Sequence, residues 1–216
     1  MRGKLGASLG ACFCAHLGVS VVALMGALAG PALLVTPAWA ANPFAAPSNL
    51  PYQAPRFDII KDSDYQPGFE AGMNEQLAEI RQIADNPAAP TFENTIAAME
   101  RSGRMLDRVN NTFFGVVQAN TNPTLDKVQT VEAPRLAAHS DAIFLNPKLF
   151  ARVKTLYDAR ASLKLDAEAL QVLTLYYRQF VHAGALLSDK DKTRLQAINK
   201  EDASLETQFQ QKLVAA

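Results

Sequence analysis

Along most of the chain the apolar residues recur with the 3.6-residue period of helices. Phe69, Met73, Leu77, Ile80 and Ala84 step by four, four, three and four, so they share one helix face. Pro67 suits the first turn of that helix, and Pro87 stops it. Thr91 is a good N-cap for a second helix. Its stripe is Phe92, Ile96, Met99, Leu106, Val109, Phe113 and Val117. Gly103 falls inside the stripe. A mid-helix glycine costs about 1 kcal/mol relative to alanine, so a bend or a close helix contact is expected there. A third segment carries Leu125, Val128, Leu136 and Ile143, and Pro134 is expected to kink or split it.

Asn146-Pro147 reads as cap plus first helical residue, opening a helix with Phe150, Val153 and Leu156. Asp166 caps a fifth helix with Leu170, Leu173, Tyr177 and Phe180, and Gly184 can close it in the left-handed conformation. Ser188 caps a sixth, with Asp191 at the capping-box position. The sixth stripe is Leu195, Ile198, Leu205 and Phe209, interrupted by Asp202. It is still running at Leu213-Val214 with no C-cap. No useful β-type alternation and no fixed-period repeat is present. The fold class is therefore all-α, an antiparallel array of about six amphipathic helices over 67–216.

The N-terminal quarter is different. No Asp, Glu, Lys or Arg occurs from Leu5 to Pro55. Arg2 and Lys4 form a basic start, an apolar stretch follows, and Ala38-Trp39-Ala40 matches the A-x-A pattern of a signal peptidase site. Residues 1–40 are read as a signal peptide cleaved after Ala40, giving a periplasmic or secreted product with no stable membrane anchor. The competing reading is an uncleaved anchor, since the apolar run is long enough to span a bilayer. Residues 41–66 hold Pro43, Pro47, Pro51 and Pro55. They predict an extended arm, with Phe57, Ile59 and Ile60 available to dock it on the helices.

Composition narrows the function classes. The chain has 216 residues, is 49% apolar and 19% charged, and balances 21 basic against 21 acidic residues. That excludes a disordered chain. It also excludes a strongly basic nucleic-acid binder, and no nucleic-acid partner is expected. Removing Arg2 and Lys4 with the leader leaves a net charge of −2. Both cysteines, Cys12 and Cys14, lie in the leader, so the remainder has no disulfide, thiolate nucleophile or cysteine metal ligand.

Candidate chemistry is sparse. His16 lies in the leader. His139 and His182 begin no H-E-x-x-H, the spacing that sets two imidazoles and a general base on one zinc. His139 and Asp141 are two apart and point in different directions on a helix. Glu70, Glu75, Glu79, Glu93 and Glu100 mostly alternate with the apolar stripes, as on a solvated face. No serine has a G-x-S-x-G context, and no glycine-rich phosphate loop is present. Lys148, Arg152, Lys154, Arg160 and Lys164 read as a solvated helix face. Tyr176, Tyr177 and Phe180 read as core at helical spacing. No catalytic, cofactor-binding or metal-ligating residue is assigned in this chain.

Four strings go beyond composition. They are Asp64-Tyr65-Gln66-Pro67-Gly68-Phe69-Glu70, Pro90-Thr91-Phe92-Glu93-Asn94-Thr95-Ile96, Ala133 to Asp141 followed by Leu145 to Phe150, and Arg178 to Ala185 leading into Leu187 to Lys192. In this order they resemble the N-terminal part of the thimet oligopeptidase family of zinc metallopeptidases, over about Asn42 to Ala216. The nearest branch is the bacterial peptidyl-dipeptidases. The resemblance implies a helical, neurolysin-like clam-shell with a deep channel, one zinc held by H-E-x-x-H and a downstream glutamate, and oligopeptide substrates that lose C-terminal dipeptides. The N-terminal helices would form part of the channel wall. The motif is absent from this sequence, so the chain is expected to be an incomplete, N-terminal piece, inactive alone and binding no zinc itself. The alternative is a non-catalytic exported helical binding module.

Overall fold

The computed structural model describes residues 42–215. The signal-peptide reading of 1–40 lies outside them. The elements are a short 3-10 turn at Pro51–Gln53, α1 (Asp62–Ala84), a π-helical turn at Phe92–Ala97 running into α2 (Ala98–Arg101), α3 (Arg104–Asn120), α4 (Pro123–Phe144), α5 (Pro147–Asp158), α6 (Ala167–His182) and α7 (Asp189–Ala215). No strand occurs among the described residues, and the all-α reading holds.

The caps follow the local chemistry. Thr91 Oγ1 accepts from the Asn94 N–H at 3.0 Å, and Asn94 Oδ1 accepts in return from the Thr91 N–H at 2.8 Å. Asn146 Oδ1 accepts from the Lys148 and Leu149 N–H groups. Asp166 accepts from the Ala169 N–H, and Ser188 Oγ from the Asp191 N–H. Gly184 closes α6 with φ at 96°. Each N-cap satisfies donors that the first helical turn leaves without partners, and the turn at Gly184 brings N–H groups to the last carbonyls of α6.

Several expectations are corrected. The first helix begins at Asp62, so Pro67 sits inside it rather than in its first turn. The earlier start is secured by Asp64, whose carboxylate accepts from the Lys61 N–H at 2.8 Å. The expected second helix is two helices, α2 and α3, broken at Ser102-Gly103, where Gly103 takes φ of 76°. α4 is not split at Pro134. It packs against both α1 and α7, and that packing outweighs the roughly 3 kcal/mol a proline costs a helix interior. Phe57 and Ile59 do not dock the arm and are exposed; Phe44 does, fully buried against Tyr65 with ring centroids 5.4 Å apart. Arg108 fixes it further by donating to the Phe44 and Ala45 carbonyls. Leu170 on α6 is exposed, as are Ile198, Leu205 and Phe209 on α7.

The buried residues form two apolar clusters, and α1 serves both. Its first half gives Tyr65, Phe69 and Met73 to a cluster with Phe44, Met105, Val109, Phe113, Leu125 and Val128. Its second half gives Ile80 and Ile83 to a cluster with Ile96, Met99, Leu149, Val153, Leu173 and Phe180. α1 and α3 pass very close. A Cβ on Gly72 would lie 2.8 Å from the Leu106 backbone.

Candidate functional site

Between the two apolar clusters lies a polar layer, at the break between α2 and α3. Gln76 and Glu79 enter it from α1, Ser102 and Gly103 from the break, and His139 from α4. His139 Nε2 is 2.6 Å from Gln76 Oε1. The Gly103 N–H donates to Glu79 Oε2 at 2.7 Å, and Ser102 Oγ donates to the Met99 carbonyl at 2.8 Å. The left-handed turn at Gly103 is required twice over: its φ is unfavourable for a side chain, and a Cβ there would run into the Gln76 amide. Burial pushes the His139 imidazole below its ordinary value, so the neutral ring is favoured. With Nε2 on Gln76, its Nδ1 is buried and has no partner.

This layer lines a cavity of about 210 Å³ bounded by Gln76, Ile80, Met99, Ser102, His139 and Tyr176 among others. The Tyr176 hydroxyl is held strongly in its protonated form, first by burial and then by the neighbouring Glu100 carboxylate. The cavity offers hydrogen bonds and apolar walls. Two serines line it; the Ser102 hydroxyl is directed at the Met99 carbonyl rather than at the imidazole, and Ser140 stands exposed at its edge, so Ser102 is not set up as an activated nucleophile.

A second polar cluster joins α1 to α4. Arg135 Nη1 donates to Glu70 Oε1 and to Glu132 Oε1, both at 2.8 Å. Glu132 is 1% exposed, and its second oxygen has no partner. Burial pushes its carboxyl up, and Arg135 only partly opposes this. The sequence reading did not single out Glu132, nor Gln129. The signal was present: both fall in register with Leu125, Val128, Leu136 and His139 on the buried side of α4. Polar residues at core positions mark buried hydrogen bonding.

The residues weighed from sequence divide as follows. His139 and Asp141 do point apart: His139 meets α1, while Asp141 Oδ1 accepts from Asn199 Nδ2 on α7 at 2.8 Å. His182 is exposed. Glu75, Glu93 and Glu100 are exposed, whereas Glu79 is partly buried on the Gly103 amide. The basic stretch is not one solvated face. Arg152 is buried and donates to the Asn86 and Ala88 carbonyls and to Asn94 Oδ1, at 2.8, 3.0 and 2.8 Å. Lys148 pairs with Asp85, Lys154 with Asp158, and the Arg160 guanidinium lies 4.1 Å from the Tyr157 ring centre. Phe180 is core, with Tyr177 partly buried and stacked 3.8 Å from Tyr157. Among the described residues no three His, Asp or Glu converge as a metal site.

The fold is thus a helical array whose polar layer cements helices together and presents a small cavity. No protein-family model matches the chain. Two curated bacterial peptidases do, and they make the chain a relative of the dipeptidyl carboxypeptidases, as the helix-opening strings indicated. The dipeptidyl carboxypeptidase of Salmonella typhimurium is 46% identical over 175 residues, and that of Escherichia coli 44% identical over 175 residues. Each match covers 81% of this chain and 26% of the relative. The chain therefore spans about a quarter of the length of the curated relatives it matches.

Proposed function

We propose that this chain is a helical part of an exported zinc peptidase that removes dipeptides from the C-terminal ends of oligopeptides, and that its helices form part of the channel wall. The observation that carries the reading is the 46% identity, held over 175 residues and 81% of the chain, to a dipeptidyl carboxypeptidase. Oligopeptides are then the substrates. Residues 1–40 act as the export signal, cleaved after Ala40 to leave a periplasmic protein.

The residues present do not fit the zinc. His139 is locked to Gln76, His182 stands exposed on α6, and H-E-x-x-H does not occur in the sequence. The metal and its hydrolytic chemistry are assigned to polypeptide that this sequence does not contain. The role left to these helices is to hold a wall of fixed shape. The two aromatic-rich clusters and the polar layer between them suit that role, because packed interiors resist deformation.

The test is a chimera. Residues 42–216 replace the matching segment of the Salmonella typhimurium relative, and dipeptide release from a short acetylated peptide is followed by mass spectrometry. Release by the chimera with zinc, and none by residues 42–216 alone, is the expected result. Dipeptide release by the isolated segment, or an inert but folded chimera, would overturn the reading. Intact mass of the exported product checks cleavage after Ala40.

A further inference from the structure

The large apolar side chains that remain exposed are segregated. Leu50, Tyr52, Phe57 and Ile59 belong to the N-terminal arm. All the others lie between Leu170 and Val214, on α6, α7 and the turn joining them. Helices α1 to α5 contribute none among the described residues. On α7, Ile198, Leu205, Phe209 and Leu213 are spaced by seven, four and four, which places them on one stripe. They are 51, 56, 67 and 66% exposed.

The opposite side of α7 is the one that packs. Asn199 donates to Asp141 on α4, and Gln211 Nε2 donates to the Asp126 carbonyl at 2.8 Å. Thr207 between them is buried. These residues are also spaced by eight and four, and at 3.6 residues per turn they centre about 150° round the helix from the apolar stripe. α7 is therefore inverted relative to an ordinary surface helix. It turns a polar seam toward its own neighbour and an apolar stripe toward water, where a surface helix does the reverse. An exposed apolar stripe of this kind, broken at Asp202 and running on through Leu205, Phe209 and Leu213, marks an interaction site.

We infer that the Ile198–Leu205–Phe209–Leu213 stripe is the seat on which the rest of the peptidase polypeptide packs. The inference rests on the function proposed above. Its occupant follows from two observations. Nearly three-quarters of each curated relative has no counterpart here, since the match covers 26% of its length. The stripe is also too small for a stable association with a separate copy. Four such side chains offer on the order of 400 Å², about half of what each partner of a stable complex contributes. A segment of the same polypeptide does not pay the rotational and translational cost of association, so a stripe of this size suffices for it.

Thiol labelling tests this, because residues 42–216 contain no cysteine. Leu205→Cys and Phe209→Cys are made singly in residues 42–216 and in the chimera, with Lys200→Cys on another side of α7 as control. Alkylation by iodoacetamide is followed peptide by peptide. The expected result is at least tenfold slower alkylation of the Leu205→Cys and Phe209→Cys variants in the chimera, with the Lys200→Cys variant unchanged. Equal rates in the two contexts would overturn the inference. So would protection in the isolated segment that rises with protein concentration, which assigns the stripe to a second copy. Dipeptide release separates the two readings. An active chimera with an unprotected stripe removes the inference and leaves the function; a protected stripe in an inert chimera does the opposite.

Discussion

His139 of α4 and Gln76 of α1 meet with 2.6 Å between Nε2 and Oε1, and they do so where the two apolar clusters abut. α1 and α4 run parallel here, as the Asp62–Asn122 and Glu70–Arg135 contacts show. The pair ties them at mid-height. Because burial lowers the imidazole pKa, the unfolded chain takes up a proton before the folded one does. Stability present above the unfolded value of about 6.5 is then lost as the pH falls below it. Melting of residues 42–216 followed from pH 8 to pH 5 is expected to show Tm falling below about 6.5. His139→Gln, which keeps a hydrogen-bonding group without a titrating ring, is expected to flatten that part of the profile. An unchanged slope in the variant would remove His139 as its cause.

Glu132 has the opposite sign. Its carboxyl is raised by burial, so the folded chain holds the proton to higher pH than the unfolded chain. Its contribution is fully present below the ordinary carboxyl range and is lost as the pH rises through the raised value. Glu132→Gln removes the ionisation, and the expected outcome is a smaller fall in Tm between pH 4 and pH 6.5 than the parent shows. A parallel shift of the two profiles would contradict it.

Arg152 makes three hydrogen bonds that hold the loop after α1 against the start of the next helical turn. Arg152→Ala strands two carbonyls and is expected to cost about 2–4 kcal/mol. Arg152→Lys is expected to recover little, because an ammonium group lacks the guanidinium fork. Urea denaturation measures both; a lysine variant as stable as the parent would show that charge alone is enough.

Gly103→Ala places a side chain at φ of 76° and against Gln76. It is expected to destabilise by about 1–3 kcal/mol. Gly72→Ala has no φ strain but forces α1 from the Leu106 backbone, 2.8 Å from the new Cβ. The near-ultraviolet signal of Phe69, Phe113 and Tyr65 should change in the Gly72 variant. An unperturbed spectrum there would contradict the close approach.

Phe44→Ala removes the buried anchor of the arm and is expected to cost about 3 kcal/mol. Its local consequence is more specific. Tryptic cleavage after Arg56 should speed up by at least tenfold, while cleavage within α3 follows only global stability. The same rate at Arg56 in parent and variant would mean that the arm is held elsewhere.

The helix ends were legible in the sequence because capping is local. Thr91, Asn146, Asp166 and Ser188 each act on a donor within three residues, so residue type and spacing carry the information. The stripes of α1, α3 and α5 were legible for the related reason that those helices face an apolar cluster on one side. The peptidase resemblance rested on the same helix-opening strings, and the bacterial relatives bear it out over 81% of the chain.

The polar layer and the inverted α7 were decided by tertiary structure. Gln76 and Arg152 differ little, as letters, from residues on a solvated face; only the elements packed against them determine that they are withdrawn from water, Gln76 in part and Arg152 fully. Of the three apolar candidates for docking the arm, Ile60 packs partly buried against the cluster around Tyr65, while Phe57 and Ile59 stay exposed; the fully buried anchor is Phe44, which lay outside them. On α7 the period predicted a stripe correctly but could not say which side meets α4. Hydrogen bonds from Asn199 and Gln211 across to α4 settled that in favour of the polar side. A helical period fixes which residues stand together; which of them are withdrawn from water depends on neighbours far away along the chain.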